Sequence, residues 1–220
     1  FTSNVSHELK TPLTSIYGVS DMLASGLVKS EDIAGFAGTI KEESSRLISL
    51  IDDIIKLSRL DESTVPQEME TIDVCGSARD VVSRLSGKAA QNGVELTFSG
   101  EPSEIAGVQH ILDEIIYNIC ENAIKYNKHG GFVKVSVKNE GDESIITVAD
   151  NGIGIPKADR ERVFERFYRV DKSHYKQIGG TGLGLSIVKH GVIYLGGRIN
   201  LESEEGVGTT ITIGLPRIKS

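Results

Sequence analysis

Near its start the chain carries a histidine and a glutamate side by side, His7 and Glu8, with Thr11 and Pro12 about one helical turn later. A neutral imidazole is a good nucleophile near pH 7, and an adjacent carboxylate can hold one ring nitrogen while the other attacks. Pro12 falls inside a helical apolar pattern, where it is expected to kink the helix. A histidine on a helix is more often a surface residue, so on local chemistry alone the nucleophilic role is the minority interpretation.

A second polar cluster lies in the otherwise apolar stretch at residues 117–127. Asn118, Asn122 and Lys125 are spaced four and three residues apart, which places them on one face of a helix. Amide oxygens suit a hard cation such as Mg²⁺, and a lysine suits phosphate. A solvated helix face would show the same residues, and this segment alone does not decide between the two.

A third cluster follows a predicted strand at residues 148–156. Asp150 stands at the strand end, and Gly152 and Gly154 come directly after it. An aspartate in that place can accept a hydrogen bond from an exocyclic amine, and the glycines let a ligand approach the backbone closely. The alternative is an ordinary turn, because Asn-Gly pairs are common in turns.

The fourth cluster is a glycine-rich loop at residues 178–189 that precedes an apolar helix. Backbone N–H groups at such a helix start bind phosphate well. The pattern is neither a P-loop nor a dinucleotide-binding fingerprint. The polar segment before it, residues 164–177, is predicted to be a mobile lid, with an ordinary surface loop as the alternative. Its phosphate-reaching bases would be Arg166, Arg169, Lys172 and Lys176.

Two different parts of the chain must position these clusters. The first 70 residues carry 12 acids, 6 bases and 4 glycines, whereas the remaining 150 carry 19 acids, 18 bases and 20 glycines. In the first part, apolar residues recur at spacings of three, four and seven, which predicts two helices joined near residues 25–31. The stripe on the second helix needs a partner, so we predict that two hairpins pair into a dimeric four-helix bundle. Packing of the hairpin on the second part is the alternative.

The second part alternates strand and helix signals. We predict strands at residues 72–74, 94–99, 132–138, 144–149, 198–202 and 209–215, and helices at 74–92, 108–127 and 181–195. The polar stretch 63–71 contains a proline and is predicted to link a domain at 1–62 to one at 72–220. The predicted fold class is therefore α+β, a helical hairpin followed by a mixed sheet with helices on one face.

Composition excludes several broad classes of protein. A net charge of −7 and a pI near 5.3 argue against a general nucleic-acid binder. No apolar run reaches the roughly 18 residues that a membrane span needs. Two cysteines cannot form a disulfide framework, so we expect a reducing compartment. The sequence begins at Phe1 without a signal-like segment, and we expect it to be a fragment of something longer.

Five motifs occur in order along nearly all 220 residues: His-Glu-x-x-Thr-Pro, NxxxNAxKY, DNGxGIP, FxRFYR and GGTGLGLSIVK. Together they resemble the cytoplasmic catalytic core of the sensor histidine kinases of bacterial two-component systems. The resemblance covers a dimerisation and phosphoacceptor hairpin of the HisKA type. It also covers the ATP-binding domain of the gyrase, Hsp90, histidine kinase and MutL (GHKL) superfamily, an α/β sandwich.

The resemblance implies roles for individual residues. His7 would be the phosphoacceptor, Glu8 the acid that orients and activates it, and Thr11 the residue that helps to place a water for dephosphorylation of a partner. Asn122 would be the Mg²⁺ ligand and Asp150 the carboxylate that reads adenine. The remaining implied nucleotide contacts are Asn118, Lys125, Tyr126, Gly152, Gly154, Arg169, Gly180, Thr181, Gly182, Leu183, Gly184 and Thr209.

The implied activity is that of an ATP- and Mg²⁺-dependent protein kinase that phosphorylates its own His7. The phosphoryl group would pass to an aspartate on the receiver domain of a response regulator, which the protein would also dephosphorylate. The family implies a homodimer at the cytoplasmic end of a membrane-anchored bacterial receptor, with its membrane segments outside these residues and no nucleic-acid partner. Two alternatives stay open: a GHKL-type ATPase or nucleotide-gated clamp without phosphohistidine, and a phosphotransfer or dimerisation module without a working ATP site.

Overall fold

The computed structural model describes residues 2–61, 68–170 and 180–218 of the chain. The chain separates into two units, Phe1–Ser58 and Arg59–Ser220. Residues 63–67 of the predicted linker at 63–71 lie outside the described residues, and its last two residues begin a strand, β1 (Glu70–Asp73). The predicted boundary between a domain at 1–62 and one at 72–220 therefore stays a prediction.

Two long helices form the first unit, as predicted. Helix α1 covers Thr2–Ala24, and helix α2 covers Ile33–Asp61 and so ends three residues into the second unit. Helix α1 continues through Pro12. Because proline has no N–H, the carbonyl of Glu8, four residues earlier, lacks its intrahelical donor.

The hairpin carries two apolar faces. On α2, Leu50 and Leu57 are buried, with 3% and 0% of their surface exposed. A second set of large apolar side chains stays open to solvent, with exposed fractions between 43% and 72%. This set, which we call the outer stripe, comprises Leu13, Tyr17, Ile48, Ile51 and Ile55. A single hairpin therefore leaves one apolar face without a covering element among the described residues of its unit.

A mixed five-stranded sheet forms the centre of the second unit, with the strand order β2-β4-β5-β7-β6. Strand β2 pairs with β4 in parallel, and all the other neighbours are antiparallel. The predicted mixed sheet is confirmed. The strands are β2 (Glu95–Gly100), β4 (Phe132–Glu140), β5 (Glu143–Asp150), β6 (Arg198–Glu204) and β7 (Gly208–Pro216).

Three helices cover this sheet: α3 (Val74–Gln91), α4 (Gln109–Lys125) and α5 (Gly184–Tyr194). On β4 the residues Val133, Val135 and Val137 are buried, as the two-residue period of a half-covered strand requires. On α4 the buried residues are those that the apolar spacing predicts: Ile111, Leu112, Ile115, Ile116, Ile119, Cys120, Ala123 and Ile124.

One strand was not predicted from the sequence. Strand β3 (Glu104–Gly107) pairs antiparallel with β1 (Glu70–Asp73) in a separate two-stranded sheet. Ile72 and Ile105 lie opposite each other in this pair, each with 1% of its surface exposed. Four residues are too few to show a periodic pattern, so only the pairing reveals this strand.

Three predicted boundaries were wrong in ways that backbone geometry explains. Helix α5 begins at Gly184 rather than at residue 181, because Gly182 has a φ of +71°, which is incompatible with a right-handed helix. Strand β4 continues to Glu140 and strand β5 begins at Glu143, so the turn between them is two residues long. Gly141 supplies the positive φ, +59°, that such a tight hairpin needs.

Candidate functional site

The histidine near the start of the chain is exposed to solvent on α1. His7 exposes 81% of its side chain, and its Nδ1 lies 3.9 Å from Oε1 of Glu8. The hydroxyl of Thr11 donates to the carbonyl of His7 over 3.2 Å. The three predicted residues therefore share one helical turn. Because Nδ1 faces Glu8, the other ring nitrogen, Nε2, is the one turned away from the carboxylate.

In the second unit, the amide face of α4 meets the start of α5. The side-chain N–H₂ of Asn118 donates to the backbone carbonyl and the carboxylate of Glu114, both over 2.9 Å. Its Oδ1 points toward Gly184, where an added Cβ would lie 2.9 Å from that oxygen and 3.7 Å from Nδ2 of Asn122. Gly184 thus allows the first turn of α5 to approach both amides closely.

Cations gather at the end of α4. The Nζ of Lys125 lies 5.4 Å from the centre of the Tyr126 ring, and a Cβ on Gly180 would come within 2.8 Å of that Nζ. Burial lowers the pKa of Lys125; the charge of Glu121 opposes this effect and that of Arg169 adds to it. Burial also raises the pKa of Tyr126, again with Arg169 in range. The structure thus brings together four residues that the sequence assigned to nucleotide binding: Gly180, Lys125, Tyr126 and Arg169.

Asp150 ends β5 and is held from two directions. The N–H of Gly152 donates to its Oδ1 over 2.8 Å, and the backbone N–H of Thr209 is a second donor. Burial raises the pKa of Asp150, and the two N–H groups oppose that rise. A Cβ on Gly152 would lie 2.4 Å from the carbonyl oxygen of Tyr126, so only glycine fits between the aspartate and the end of α4.

The loop after Asp150 rests on the turn between β6 and β7. Gly154 has a φ of +68°, and a Cβ there would lie 1.9 Å from the carbonyl oxygen of Glu204. The N–H of Gly206 donates to the carbonyl of Ile153 over 2.7 Å. Ser203 accepts a hydrogen bond of 2.8 Å from the N–H of Ile155 and lies 2.8 Å from the hydroxyl of Thr209. Ser203 was not predicted from the sequence, where its only signal is a polar residue at an inward position of β6.

The glycine-rich loop is tied to the segment that precedes it in the sequence. Gly182 accepts a hydrogen bond of 2.9 Å from the N–H of Phe167, which itself has a φ of +64°. The hydroxyl oxygen of Thr181 accepts from the N–H of Leu183 over 3.2 Å. Leu183, also predicted to contact the nucleotide, is fully buried and supports the loop from beneath.

The sequence also predicts three further phosphate-reaching bases in the segment before the glycine-rich loop. Arg166 lies 3.1 Å from Nε2 of His190 on α5. The other two bases of the predicted lid, Lys172 and Lys176, lie outside the described residues, as does half of the lid, residues 171–177.

Two kinds of feature are absent from the described residues. These residues contain no group of three or more His, Cys, Asp or Glu side chains placed to hold a metal ion. No helix in the same ranges combines the length and apolar character that crossing a bilayer demands.

Comparison with known proteins identifies both units. A family model for the histidine kinase-, DNA gyrase B- and HSP90-like ATPases matches residues 107–219. The chain belongs to this family. A second model, for the His Kinase A (phospho-acceptor) domain, matches residues 1–63. The chain is therefore a histidine kinase core, with a phosphoacceptor domain followed by an ATPase domain, which confirms the resemblance that the motifs indicated.

Curated relatives of this histidine kinase core are sensor kinases. The sensor-like histidine kinase SenX3 of Mycolicibacterium smegmatis is 39% identical over 98% of this chain and 56% of its own length. The sensor histidine kinase WalK of Bacillus subtilis is 40% identical over 98% of this chain and 36% of its own length. The chain thus spans about half the length, or less, of the curated relatives it matches.

Solved structures agree on the fold. The mycobacterial sensor histidine kinase MprB has 28% identity and a TM-score of 0.60 over 69% of this chain and 99% of its own. The Acinetobacter baumannii histidine kinase AdeS has a TM-score of 0.78 over 97% of this chain and 98% of its own. At 21% identity, AdeS supports the fold alone.

Proposed function

We propose that this chain is an ATP-dependent protein histidine kinase that phosphorylates its own His7. The observation that carries the proposal is the convergence of three sequence-distant segments on one site in the second unit. The amide and lysine face of α4, the Asp150 loop and the glycine-rich loop meet there through contacts that only glycine allows. Their family, the histidine kinase-, DNA gyrase B- and HSP90-like ATPases, supports ATP as the ligand.

Each segment suits one part of ATP. The Asp150 carboxylate accepts the exocyclic amine of adenine, while Gly152 and Gly154 shape the space beside it. Lys125 and Arg169 supply positive charge for the phosphates, as do the backbone N–H groups at the start of α5. Asn118, Tyr126, Gly180, Gly182 and Thr209 would complete the contacts. Burial disfavours the charged form of Lys125, and the negative charge of a bound phosphate would offset this desolvation.

We propose Mg²⁺ as the metal, held by Asn122 with Asn118 beside it. Mg²⁺ is usually bound through one or two protein oxygens together with phosphate oxygens. The fit rests on Asn118, whose N–H₂ is engaged by Glu114, so that its oxygen is the atom left facing the site. When bound, the ion would neutralise part of the phosphate charge.

The geometry of α1 supports the proposed reaction at His7. Nε2 attacks the γ-phosphorus, the bond from that phosphorus to the β,γ-bridging oxygen breaks, and ADP leaves. Glu8 stabilises the positive charge that develops on the ring from the Nδ1 side, and it must close in because 3.9 Å exceeds hydrogen-bond length. The product is a phosphoramidate, which acid hydrolyses and alkali spares.

We propose a homodimer formed through the outer stripe. Five large apolar side chains on the two helices stay 43% to 72% exposed, and a second hairpin would cover them. The match to a phosphoacceptor domain supports this assembly.

We also propose that His7 passes its phosphoryl group to an aspartate of a response regulator. The histidine kinase ThkA has been solved in complex with the response regulator protein TrrA, and its fold matches this chain with a TM-score of 0.74 at 20% identity. The open display of His7 suits such transfer, since a second protein must reach the same nitrogen.

Thr11 supports a second activity, dephosphorylation of that regulator. Its hydroxyl donates its proton to the carbonyl of His7, and its oxygen has lone pairs that can accept a hydrogen bond from a water. Glu8, one turn earlier on the same helix, can accept from the same water.

For location, we propose the bacterial cytoplasm, as part of a membrane-anchored receptor. ATP is available there, and both cysteines, Cys75 and Cys120, are free thiols, as a reducing compartment permits. No nucleic-acid partner is proposed, because the net charge is −7.

Incubation with Mg²⁺ and γ-labelled ATP tests the proposed activity. We expect an acid-labile, alkali-stable phosphoprotein that His7→Gln abolishes and that the control His110→Gln, at another exposed histidine, leaves intact. Equal labelling of His7→Gln would refute the assignment of His7. ATP hydrolysis without any phosphohistidine would favour the clamp alternative, and phosphotransfer without ATP binding would favour the phosphotransfer module.

A further inference from the structure

Ser203 occupies a buried position behind the base-reading end of the proposed ATP site. It lies on β6 with 8% of its surface exposed, and its hydroxyl oxygen has three polar neighbours. These are the N–H of Ile155 at 2.8 Å, the carbonyl oxygen of Gly208 at 3.0 Å and the hydroxyl of Thr209 at 2.8 Å. A single side chain thus joins the loop after Asp150 to the start of β7.

The hydrogens in this cluster have one arrangement that satisfies every contact. A serine hydroxyl has one proton to donate and two lone pairs to accept with. The N–H of Ile155 can only donate, and the carbonyl of Gly208 can only accept. If Ser203 donates to Gly208, then Thr209 must donate its own proton to Ser203. The reverse assignment would leave two bare oxygens 3.0 Å apart and a threonine proton without that acceptor.

This arrangement determines what Thr209 can offer a ligand. With its proton directed at Ser203, the Thr209 hydroxyl presents only lone pairs to any other group. Asp150, its register partner across β5 and β7, is also an acceptor, held in place by the backbone N–H groups of Gly152 and Thr209. The base-reading end therefore presents two acceptors side by side. An exocyclic amine complements them, whereas the carbonyl oxygen of guanine would face lone pairs.

We propose that Ser203 is a positioning residue that fixes the Thr209 hydroxyl as an acceptor and so makes this end of the site select a base with an exocyclic amine. The proposal rests on the proposed ATP site and extends it. Ser203 itself touches no substrate. It acts through Thr209 and, by way of the N–H of Ile155, through the loop that follows Asp150.

The test compares two nucleotides that differ only in the amine. ADP and purine riboside 5′-diphosphate, which lacks the 6-amino group, are titrated calorimetrically into the unaltered chain and into Ser203→Ala. We expect Ser203→Ala to weaken ADP binding about tenfold and purine riboside diphosphate binding less than about twofold, because the latter has no amine to recognise. Ser203→Thr, which keeps the hydroxyl, should restore the preference for ADP.

Ser144→Ala is the matched control. Ser144 is also a buried serine in the same sheet, fully covered, and its hydroxyl has no hydrogen-bond partner within the described residues. Both affinities should be unchanged in that variant. If Ser203→Ala proves unstable by thermal melting, Thr209→Val removes the same acceptor while leaving Ser203 in place, and it should show the same selective loss of ADP affinity.

The outcomes separate this inference from the proposed function. Equal weakening of both nucleotides by Ser203→Ala, or no weakening of either, would overturn the role of Ser203 and leave ATP binding intact. Failure of the unaltered chain to bind either nucleotide would overturn the proposed function, and the inference with it.

Discussion

The two units hold their reactive groups in opposite ways. On the hairpin, His7 exposes 81% of its side chain and has its carboxylate neighbour at 3.9 Å. In the second unit, Asp150 is largely buried, gripped by two backbone N–H groups and backed by glycines that leave no room for a Cβ. In the proposed function, His7 must meet both a nucleotide and a second protein, and it is accessible. Asp150 would bind one part of a small molecule, and it is held in place before that molecule arrives.

Glycine substitutions should show this contrast most strongly. Gly154→Ala places a Cβ 1.9 Å from the carbonyl of Glu204 at a positive φ, so we expect ADP affinity to fall by about 100-fold or more. Gly18→Ala, on α1, meets no described atom within 4 Å beyond its own helix backbone and should stabilise the hairpin by roughly 1 kcal/mol. Calorimetric titration and thermal melting measure the two effects. ADP binding that Gly154→Ala strengthens, together with a hairpin that Gly18→Ala destabilises, would contradict this contrast between the units.

A charged residue should weaken dimerisation when it stands in the outer stripe but not when it stands on the second unit. Ile48→Glu would bury an unpaired carboxylate in the proposed dimer, and we expect the dimer dissociation constant to rise by about 100-fold or more. Ile193→Glu is the matched control, because Ile193 on α5 has the same exposed fraction, 61%, as Ile48. Light scattering over a dilution series gives both constants. A monomer–dimer balance that Ile48→Glu leaves unchanged would contradict the proposed interface.

Within the hairpin, Thr11 should separate the two activities. We expect Thr11→Ala to slow dephosphorylation of the regulator about tenfold while autophosphorylation changes less than about twofold. Thr39→Ala is the control, since Thr39 on α2 makes the same 3.2 Å bond to the carbonyl four residues earlier. Phosphatase and kinase rates are measured in parallel. The proposal fails if Thr11→Ala leaves the phosphatase rate at that of Thr39→Ala.

The smallest effect concerns pH. Burial raises the pKa of Asp150 above its ordinary 3.8, so the folded chain binds that proton more tightly than the unfolded chain. The contribution to folding stability is therefore lost as the pH rises from 3.8 through the raised pKa. ADP binding has the opposite pH dependence, because the exocyclic amine of adenine needs the ionised Asp150 carboxylate as its acceptor. We expect ADP affinity to fall by up to about tenfold per pH unit below the raised pKa. A flat calorimetric profile down to the ordinary value would contradict this.

Much of the fold follows from local patterns. The eight apolar residues of α4 keep a helical period, and all eight are buried as expected. The residues of the candidate site stand in motifs whose order indicated the family that the comparisons confirmed. The roles of those residues, by contrast, stay predictions, since a motif gives no distance between a side chain and its ligand.

Features that depend on contacts between distant residues could not be predicted from the sequence. Strand β3 is four residues long and is recognisable only through its pairing with β1. Ser203 meets Ile155, 48 residues away in the chain, so nothing near it in the sequence signals the bond. The predicted start of α5, residue 181, was wrong because the carbonyl of Gly182 accepts a hydrogen bond from Phe167, which lies outside the helix pattern.

The close approach of Gly152 to the Tyr126 carbonyl restricts how resistance to an inhibitor could arise. A competitive inhibitor seated against that glycine would rest on backbone atoms, which no single substitution deletes. The substitutions that could crowd it out add a Cβ at Gly152, and that atom would sit 2.4 Å from the Tyr126 oxygen. A mutant that excluded the inhibitor there would also disturb the proposed nucleotide site, so we expect it to bind ATP less tightly.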